Sequence, residues 1–261
     1  MHMSSILAVE GLVKRFGGLT AVDGCSFEIA KGSITGLVGP NGAGKTTTFN
    51  IISGDMVPTS GRVRFDGADV TGVPTHRLFH RGLVRTFQIP QEYRRMTARE
   101  NLMVAAAGQS GEQLFPAWLQ RGRVAKEEAD VRRRADDALA FLNLAHVADE
   151  LAGNLSGGQK KLLEIGRTMM SEARLVLLDE PGAGVNPTLL KEVAGAIRRL
   201  NRERGYTFCI IEHNMDLIAE LCDPVIVMAE GRVLRMGTID EIRADRAVID
   251  AYLGGARESA A

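Results

Sequence analysis

The run Gly39-Pro-Asn-Gly-Ala-Gly-Lys-Thr46 has the residue types and spacing of a loop that wraps a nucleotide phosphate. Gly39, Gly42 and Gly44 let the backbone curl with its N–H groups pointing inward, and the start of a following helix adds partial positive charge. Lys45 is long enough to reach the β- and γ-phosphates, and Thr46 is placed to offer its hydroxyl to Mg²⁺. Pro40, Asn41 and Ala43 fill the loop between these residues, and Thr47 follows it into the helix. The whole of 39–47 is therefore expected to line a nucleotide. The flanks fit that chemistry, because Ile34-Thr-Gly-Leu-Val38 reads as a short buried strand and Thr46-Thr-Thr-Phe-Asn-Ile-Ile52 as a helix.

Further groups with the right chemistry lie far along the chain. Leu175-Val-Leu-Leu-Asp-Glu180 is an apolar strand that ends in two carboxylates. Neighbours on a strand point opposite ways, so Asp179 can hold Mg²⁺ while Glu180, on the other side, polarises an attacking water. His213 follows the strand Thr207 to Ile211, where ligands of an α/β sheet bind, and is a candidate γ-phosphate contact; a hydrogen-bonded packing histidine is the alternative. Gln88, in Arg85-Thr-Phe-Gln-Ile-Pro90, could bind the metal or the water and swing away, although a surface glutamine would read the same. Ser156-Gly157-Gly158-Gln159 heads a helix with a hydroxyl and unhindered N–H groups, which makes a second anion site. One nucleotide hardly needs two cradles from one chain. Ser156 is therefore expected to cap the γ-phosphate held by a partner's loop, in a dimer that shares two nucleotides.

The elements that position these groups follow from patterning. Residues 6–36 alternate apolar and polar positions between glycines, which predicts short antiparallel strands continued by Arg62-Val-Arg-Phe65. From about 92 to 152 the pattern turns helical, most clearly over Val131 to Leu144. After Ser156, helices alternate with strands at 175–178 and 207–211, which argues for a mostly parallel sheet. Val225 to Ala229 and Arg232 to Met236 read as a closing hairpin around Glu230-Gly231. Thr238-Ile-Asp-Glu241 has capping-box spacing and should open a last helix ending before Gly254-Gly255. The fold class is thus α/β: a phosphate-loop NTPase core with a mostly parallel sheet, an N-terminal antiparallel β region and an inserted helical subdomain. Its parts are expected at 1–91 (first half of the core), 92–155 (helical subdomain), 156–255 (second half) and 256–261 (tail).

Composition narrows the field. Lys plus Arg and Asp plus Glu are 32 each, so no overall field favours nucleic acid or an acidic membrane surface. Cys25, Cys209 and Cys222 lack metal-binding spacing and are expected as buried, reduced thiols of a cytosolic protein. No apolar run approaches the roughly 18 residues of a membrane span, and the N-terminus does not read as a secretion signal.

Assembled, these residues resemble the ATP-binding cassette family from about Ile6 to Gly255. The resemblance covers the phosphate loop (Gly39–Thr46), a glutamine loop (Gln88), the signature Leu155-Ser-Gly-Gly-Gln159, the carboxylates Asp179 and Glu180 and the switch histidine His213. It implies that Phe16, where the family often has tyrosine, stacks on adenine; a core phenylalanine is the ordinary alternative. A closer resemblance is to ATPase subunits of bacterial branched-chain amino acid importers. It rests on Gly82-Leu-Val-Arg-Thr-Phe-Gln88, Met96-Thr-Ala-Arg-Glu-Asn-Leu102, Glu180-Pro-Gly-Ala-Gly-Val-Asn-Pro187 and the tail Ile249-Asp-Ala-Tyr-Leu-Gly254. Asn186 stands where most of the wider family has aspartate. The resemblance implies ATP and Mg²⁺ as ligands, ATP hydrolysis coupled to uptake, and a peripheral place on the cytoplasmic face of the inner membrane. It also implies as partners a second cassette, two integral membrane permeases and, indirectly, a periplasmic solute-binding protein, with no nucleic acid. The helical insert, with Phe115 and Trp118 as candidate contact or core residues, would convey closure to the permeases. Urea or amide importers are the nearest alternative, followed by cassette proteins acting on nucleic acid or ribosomes and by a non-hydrolysing regulatory module.

Overall fold

The computed structural model describes residues 4–86, 92–106 and 121–258, with the backbone alone at 121 and 253–258. Gln88, Phe115 and Trp118 lie outside the described residues. The chain divides into two compact units, one formed by 1–88, 174–183 and 197–261, the other by 89–173 and 184–196.

In the first unit the N-terminal region is antiparallel, as the alternation predicts, but it is not made of short strands. Ser5–Phe16 (β1) and Leu19–Ala30 (β2) are long strands joined at Gly17-Gly18. Irregularities in their register absorb Gly11 and Gly24, both at positive φ, so the glycines mark bulges within strands rather than their ends. Ser60–Phe65 (β4) and Ala68–Asp69 (β5) complete a four-stranded sheet of order β2-β1-β4-β5.

The second sheet carries the chemistry. Its order is β10-β9-β3-β8-β7-β6, with β3 at Ile34–Val38, β6 at Leu83–Arg85, β7 at Leu175–Asp179, β8 at Thr207–Ile211, β9 at Val225–Ala229 and β10 at Arg232–Gly237. The five strands β9, β3, β8, β7 and β6 are parallel, and β10 pairs antiparallel with β9. Every residue of β3, β7 and β8 is buried, which is why their sequences are continuous apolar runs rather than alternating ones. Glu230 and Gly231, both at positive φ, make the two-residue turn of the expected closing hairpin. Lys45–Ile52 (α1), Thr75–Phe79 (α2) and Met215–Leu221 (α7) are short helices of the same unit. Leu37, Leu177 and Cys209 of the sheet and Phe49 and Ile52 of α1 belong to one buried apolar cluster.

The C-terminus departs from expectation. Ile239–Ala244 (α8) opens with the predicted Thr238–Glu241 capping box, but Asp245 interrupts the helix. Its carboxylate accepts from the N–H groups of Ala247 and Val248 and starts a second helix, Arg246–Glu258 (α9). That helix runs through Gly254-Gly255 instead of stopping before them. Glycine weakens a helix by about 1 kcal/mol relative to alanine but does not bar it.

The second unit is helical. Ala98–Met103 (α3), Arg121–Phe141 (α4) and Gly157–Met170 (α5) pack on one another, and Leu102, Leu139, Leu142 and Leu163 are buried in this unit. A methyl at Gly166 would stand 2.9 Å from the end of the Leu142 side chain and 3.0 Å from that of Leu102, so glycine lets these leucines lie close over the helix. Arg99 ties α3 to Asp136 of α4 at 2.6 Å and also to Asp149. The helix that begins at Gly157 falls in this unit, past the boundary at 155 expected from sequence. The three cysteines are buried and form no disulfide, and burial pushes Cys25 and Cys222 up to about 12.

Candidate functional site

Strand register brings distant parts of the sequence into line. Leu37 of β3 and Asp179 of β7 both pair with Ile211 of β8, so the segments that follow all three strands leave the same, C-terminal edge of the sheet. In open α/β sheets this edge is where ligands bind. The phosphate loop leaves β3, the two carboxylates end β7, and His213 follows β8.

The loop passes directly into α1, whose N-cap is Gly44 in the left-handed region at φ 93. A side chain there would press on the Ala21 carbonyl at 2.5 Å, so only glycine lets the loop lie this close to β2. Gly39 is similarly confined, with the Met228 carbonyl occupying the place of a Cβ. Gly42 departs from that pattern. It is exposed, and nothing lies within 4 Å of where its Cβ would stand, so its φ of 79, and not crowding by the protein, is what calls for glycine there. The expected inward curl is thus packed against the protein at Gly39 and Gly44 and open to solvent at Gly42. No side chain caps α1 and its first turn holds no acidic residue, so its N–H groups remain available to an anion. Ala43 is buried, Pro40 and Thr47 are half-buried, and Asn41 and Thr46 are exposed.

Lys45 is only 6% exposed, and its Nζ donates to the carbonyls of Gly39 at 2.8 Å and Pro40 at 3.0 Å. The lysine thereby braces the loop that it serves. Burial lowers its pKa from the ordinary lysine value, and the nearby charges of Glu180 and Asp179 push it back up. That opposition is the electrostatic sign of convergence between the loop and the carboxylates.

Asp179 is buried in the last position of β7, whereas Glu180 falls just outside the strand and departs from the alternation expected of it. Glu180 takes φ 50, in the left-handed region, and that turn rather than the pleat aims its side chain. Oε1 of Glu180 lies 3.0 Å from Nε2 of His213. Phe16 is 45% exposed at the end of β1, so it is not a core residue, and Lys14 Nζ sits 5.1 Å from its ring centre.

In the other unit, Ser156 and Gln159 form a capping box. The Ser156 hydroxyl accepts from the Gln159 N–H at 3.4 Å, and the Gln159 side chain accepts from the Ser156 N–H at 2.9 Å. Ser156 and Gly157 are exposed at this helix start, while Gly158 is buried beneath Leu189. Asn186 caps the next helix, Pro187–Arg204 (α6), by accepting from the Leu189 N–H at 3.0 Å.

Sequence reasoning missed Arg85. From the end of β6 its guanidinium donates to Asp179 at 2.9 Å, Asp55 at 3.1 Å and Asn50 at 2.5 Å. The Asp179 side chain is 7% exposed and that of Arg85 11%, so each compensates a charge removed from water. Removing one member of a buried pair costs about 3–5 kcal/mol. Arg85→Ala is therefore expected to lower unfolding free energy by that amount in urea titration, with part of the loss recovered in Arg85→Met/Asp179→Asn. A loss below about 1 kcal/mol would show that Asp179 is compensated by other groups.

Among the described residues no three His, Cys, Asp or Glu side chains converge as a metal cage. The oxygen donors present, the Asp179 carboxylate and Thr46 hydroxyl, suit a hard cation that keeps waters and shares substrate phosphates, as Mg²⁺ does.

Comparisons with known proteins bear on the family of the chain. The ABC transporter family model matches residues 22–183, and a model named branched-chain amino acid ATP-binding cassette transporter matches 236–258. A probable branched-chain amino acid transport ATP-binding protein LivG of Archaeoglobus fulgidus is 43% identical, over 95% of this chain and 95% of that protein. The high-affinity branched-chain amino acid transport ATP-binding protein BraF of Pseudomonas aeruginosa is 39% identical, over 96% of this chain and 98% of its own length. The crystal structure of the ADP conformation of MJ1267, an ATP-binding cassette of an ABC transporter, superimposes with a TM-score of 0.83 at 38% identity, covering 96% of this chain and 99% of that one. A family model over most of the sequence and full-length relatives at this identity place the matter beyond a shared fold: the chain belongs to the ABC transporter family, as an ATP-binding cassette of the branched-chain amino acid type.

Proposed function

We propose that this chain hydrolyses ATP as one of two cassettes of a branched-chain amino acid importer, and that the two cassettes share two nucleotides between them. The observation that carries the reading is the meeting of Glu180 with His213, 3.0 Å apart, at the sheet edge where the phosphate loop also emerges. Nucleotide phosphates would lie on the α1 N-terminus with Lys45 against the β- and γ-phosphates, and Phe16 would stack on adenine. Glu180 would accept a proton from the attacking water as general base. His213 would hold Glu180 in place and contact the γ-phosphate, favouring in-line attack by orientation and charge. Thr46, Asp179 and Gln88 would hold Mg²⁺, which when bound neutralises phosphate charge. Ser156, Gly157, Gly158 and Gln159 would close over the γ-phosphate bound by the second cassette, because an exposed hydroxyl at a helix start suits an anion from outside the chain.

No helix among the described residues is long and apolar enough to cross a membrane, so transport needs permease partners. In this reading the protein sits on the cytoplasmic face of the membrane, bound to two permeases that receive amino acid from a periplasmic binding protein. Affinity purification of the chain from detergent-solubilised membranes, followed by mass spectrometry, tests the assignment. Recovery of a second cassette and two multi-span proteins is expected. Recovery of ribosomal proteins or DNA instead would remove the transport reading.

A further inference from the structure

Glu212 is a buried carboxylate with 4% exposure, immediately before His213 and absent from the machinery described above. Its oxygens are engaged by main-chain N–H groups of two different segments. Oε1 accepts from Gly182 at 2.5 Å, in the turn after β7, while Oε2 accepts from His213 at 3.0 Å and Asn214 at 3.2 Å, after β8. The first turn carries Glu180. It is closed by the Ala183 N–H donating to the Glu180 carbonyl at 3.1 Å and by the Glu180 N–H donating to Ile211 at 2.9 Å. Glu180 nonetheless sits at φ 50, a conformation that persists for a non-glycine residue only where its surroundings over-determine it. Beside the Glu180–Ile211 main-chain bond, Glu212 supplies a side-chain link from this strained turn to the segment bearing His213.

We infer that Glu212 is a positioning residue: by clamping Gly182 to His213 and Asn214, it sets the distance and orientation of the Glu180–His213 pair. This rests on the reading of Glu180 as base and His213 as its partner. A carboxylate suits the task because both oxygens accept and neither donates, so two donor-bearing segments can close on it from opposite sides. An amide of the same size would put N–H₂ against an N–H donor on one side or the other.

The test is a set of turnover and nucleotide-affinity measurements on the purified full chain: wild type, Glu212→Gln, Glu212→Asp, Glu180→Gln, His213→Ala and the double variant Glu212→Gln/His213→Ala. Glu212→Gln is expected to lower kcat by about 10- to 100-fold, with KM for ATP within about twofold, because the phosphate loop is untouched. His213→Ala should cost its full factor in the wild type but less than about threefold on top of Glu212→Gln, since residues acting as one unit are not additive. A merely structural role would lower thermal stability and the nucleotide-binding fraction and leave the two factors multiplying. Should Glu212→Gln fold poorly, Glu212→Asp keeps the charge but loses the reach to both segments, and its kcat should fall in the same way. Wild-type turnover in Glu212→Asp, or multiplying factors in the double variant, would overturn the inference. Wild-type turnover in Glu180→Gln or His213→Ala would instead overturn the reading of the site on which it rests.

Discussion

Glu180→Gln is expected to bind ATP as tightly as the wild type while its turnover falls by about a hundred- to ten-thousand-fold, the usual contribution of a general base. The substitution keeps size and can keep a hydrogen bond to His213 Nε2, 3.0 Å from Oε1 in the native chain, but an amide cannot take a proton from water. The site should otherwise be preserved, because the left-handed turn at residue 180 is held by main-chain bonds to Ile211 and Ala183 that do not involve the side chain. Nucleotide binding by equilibrium dialysis, beside phosphate release under saturating ATP, separates the two effects. Turnover at the native rate would remove Glu180 as base.

The second large effect is expected at Lys45. Lys45→Ala removes the cation that faces the phosphates and the two hydrogen bonds that brace Gly39 and Pro40, and ATP affinity should fall by about 30- to 1,000-fold, or roughly 2–4 kcal/mol. Stability should change little by comparison, since loss of buried methylenes is partly offset by removal of a buried charge. The pH dependence has a definite sign. Burial lowers the Lys45 pKa, so affinity holds below that lowered value and declines as pH rises through it, as the ammonium is lost. Unchanged ATP affinity in Lys45→Ala, measured by calorimetry, would contradict the assignment of the loop.

How much of this was legible depended on how local each determinant is. The phosphate loop could be read directly, because its conformation is encoded by glycines within a few residues of Lys45 and by the strand and helix on either side. What the loop sequence could not tell apart is why each glycine is there: Gly39 and Gly44 answer to carbonyls of Met228 and Ala21 far away in the chain, Gly42 to its own torsion alone. Strands β3, β7 and β8 were legible as apolar runs, and the β9–β10 hairpin as a turn. The reading of Gly11 and Gly24 was harder, because a glycine that ends a strand and one that makes a bulge inside it look alike until the partner strand is known. Asp245 was missed as a helix start because the capping box at Thr238 already accounted for the segment. Arg85 and Glu212 were out of reach for a different reason. Arg85 meets Asp179 across 94 residues of sequence and Glu212 meets Gly182 across 30, so their partners exist only once the parallel sheet aligns the ends of its strands. The direction of Glu180 was likewise set by a main-chain torsion that strand alternation cannot anticipate.

The central claim is that hydrolysis by this chain drives uptake of branched-chain amino acids, and uptake itself tests it most directly. Cells of the source organism carrying Glu180→Gln in place of the native allele would be given labelled leucine, isoleucine and valine at low concentration. The account predicts that initial rates for all three fall to the level of a deletion of the gene, while uptake of an unrelated solute is unchanged. Native rates of uptake from cells whose cassette no longer hydrolyses ATP would contradict it.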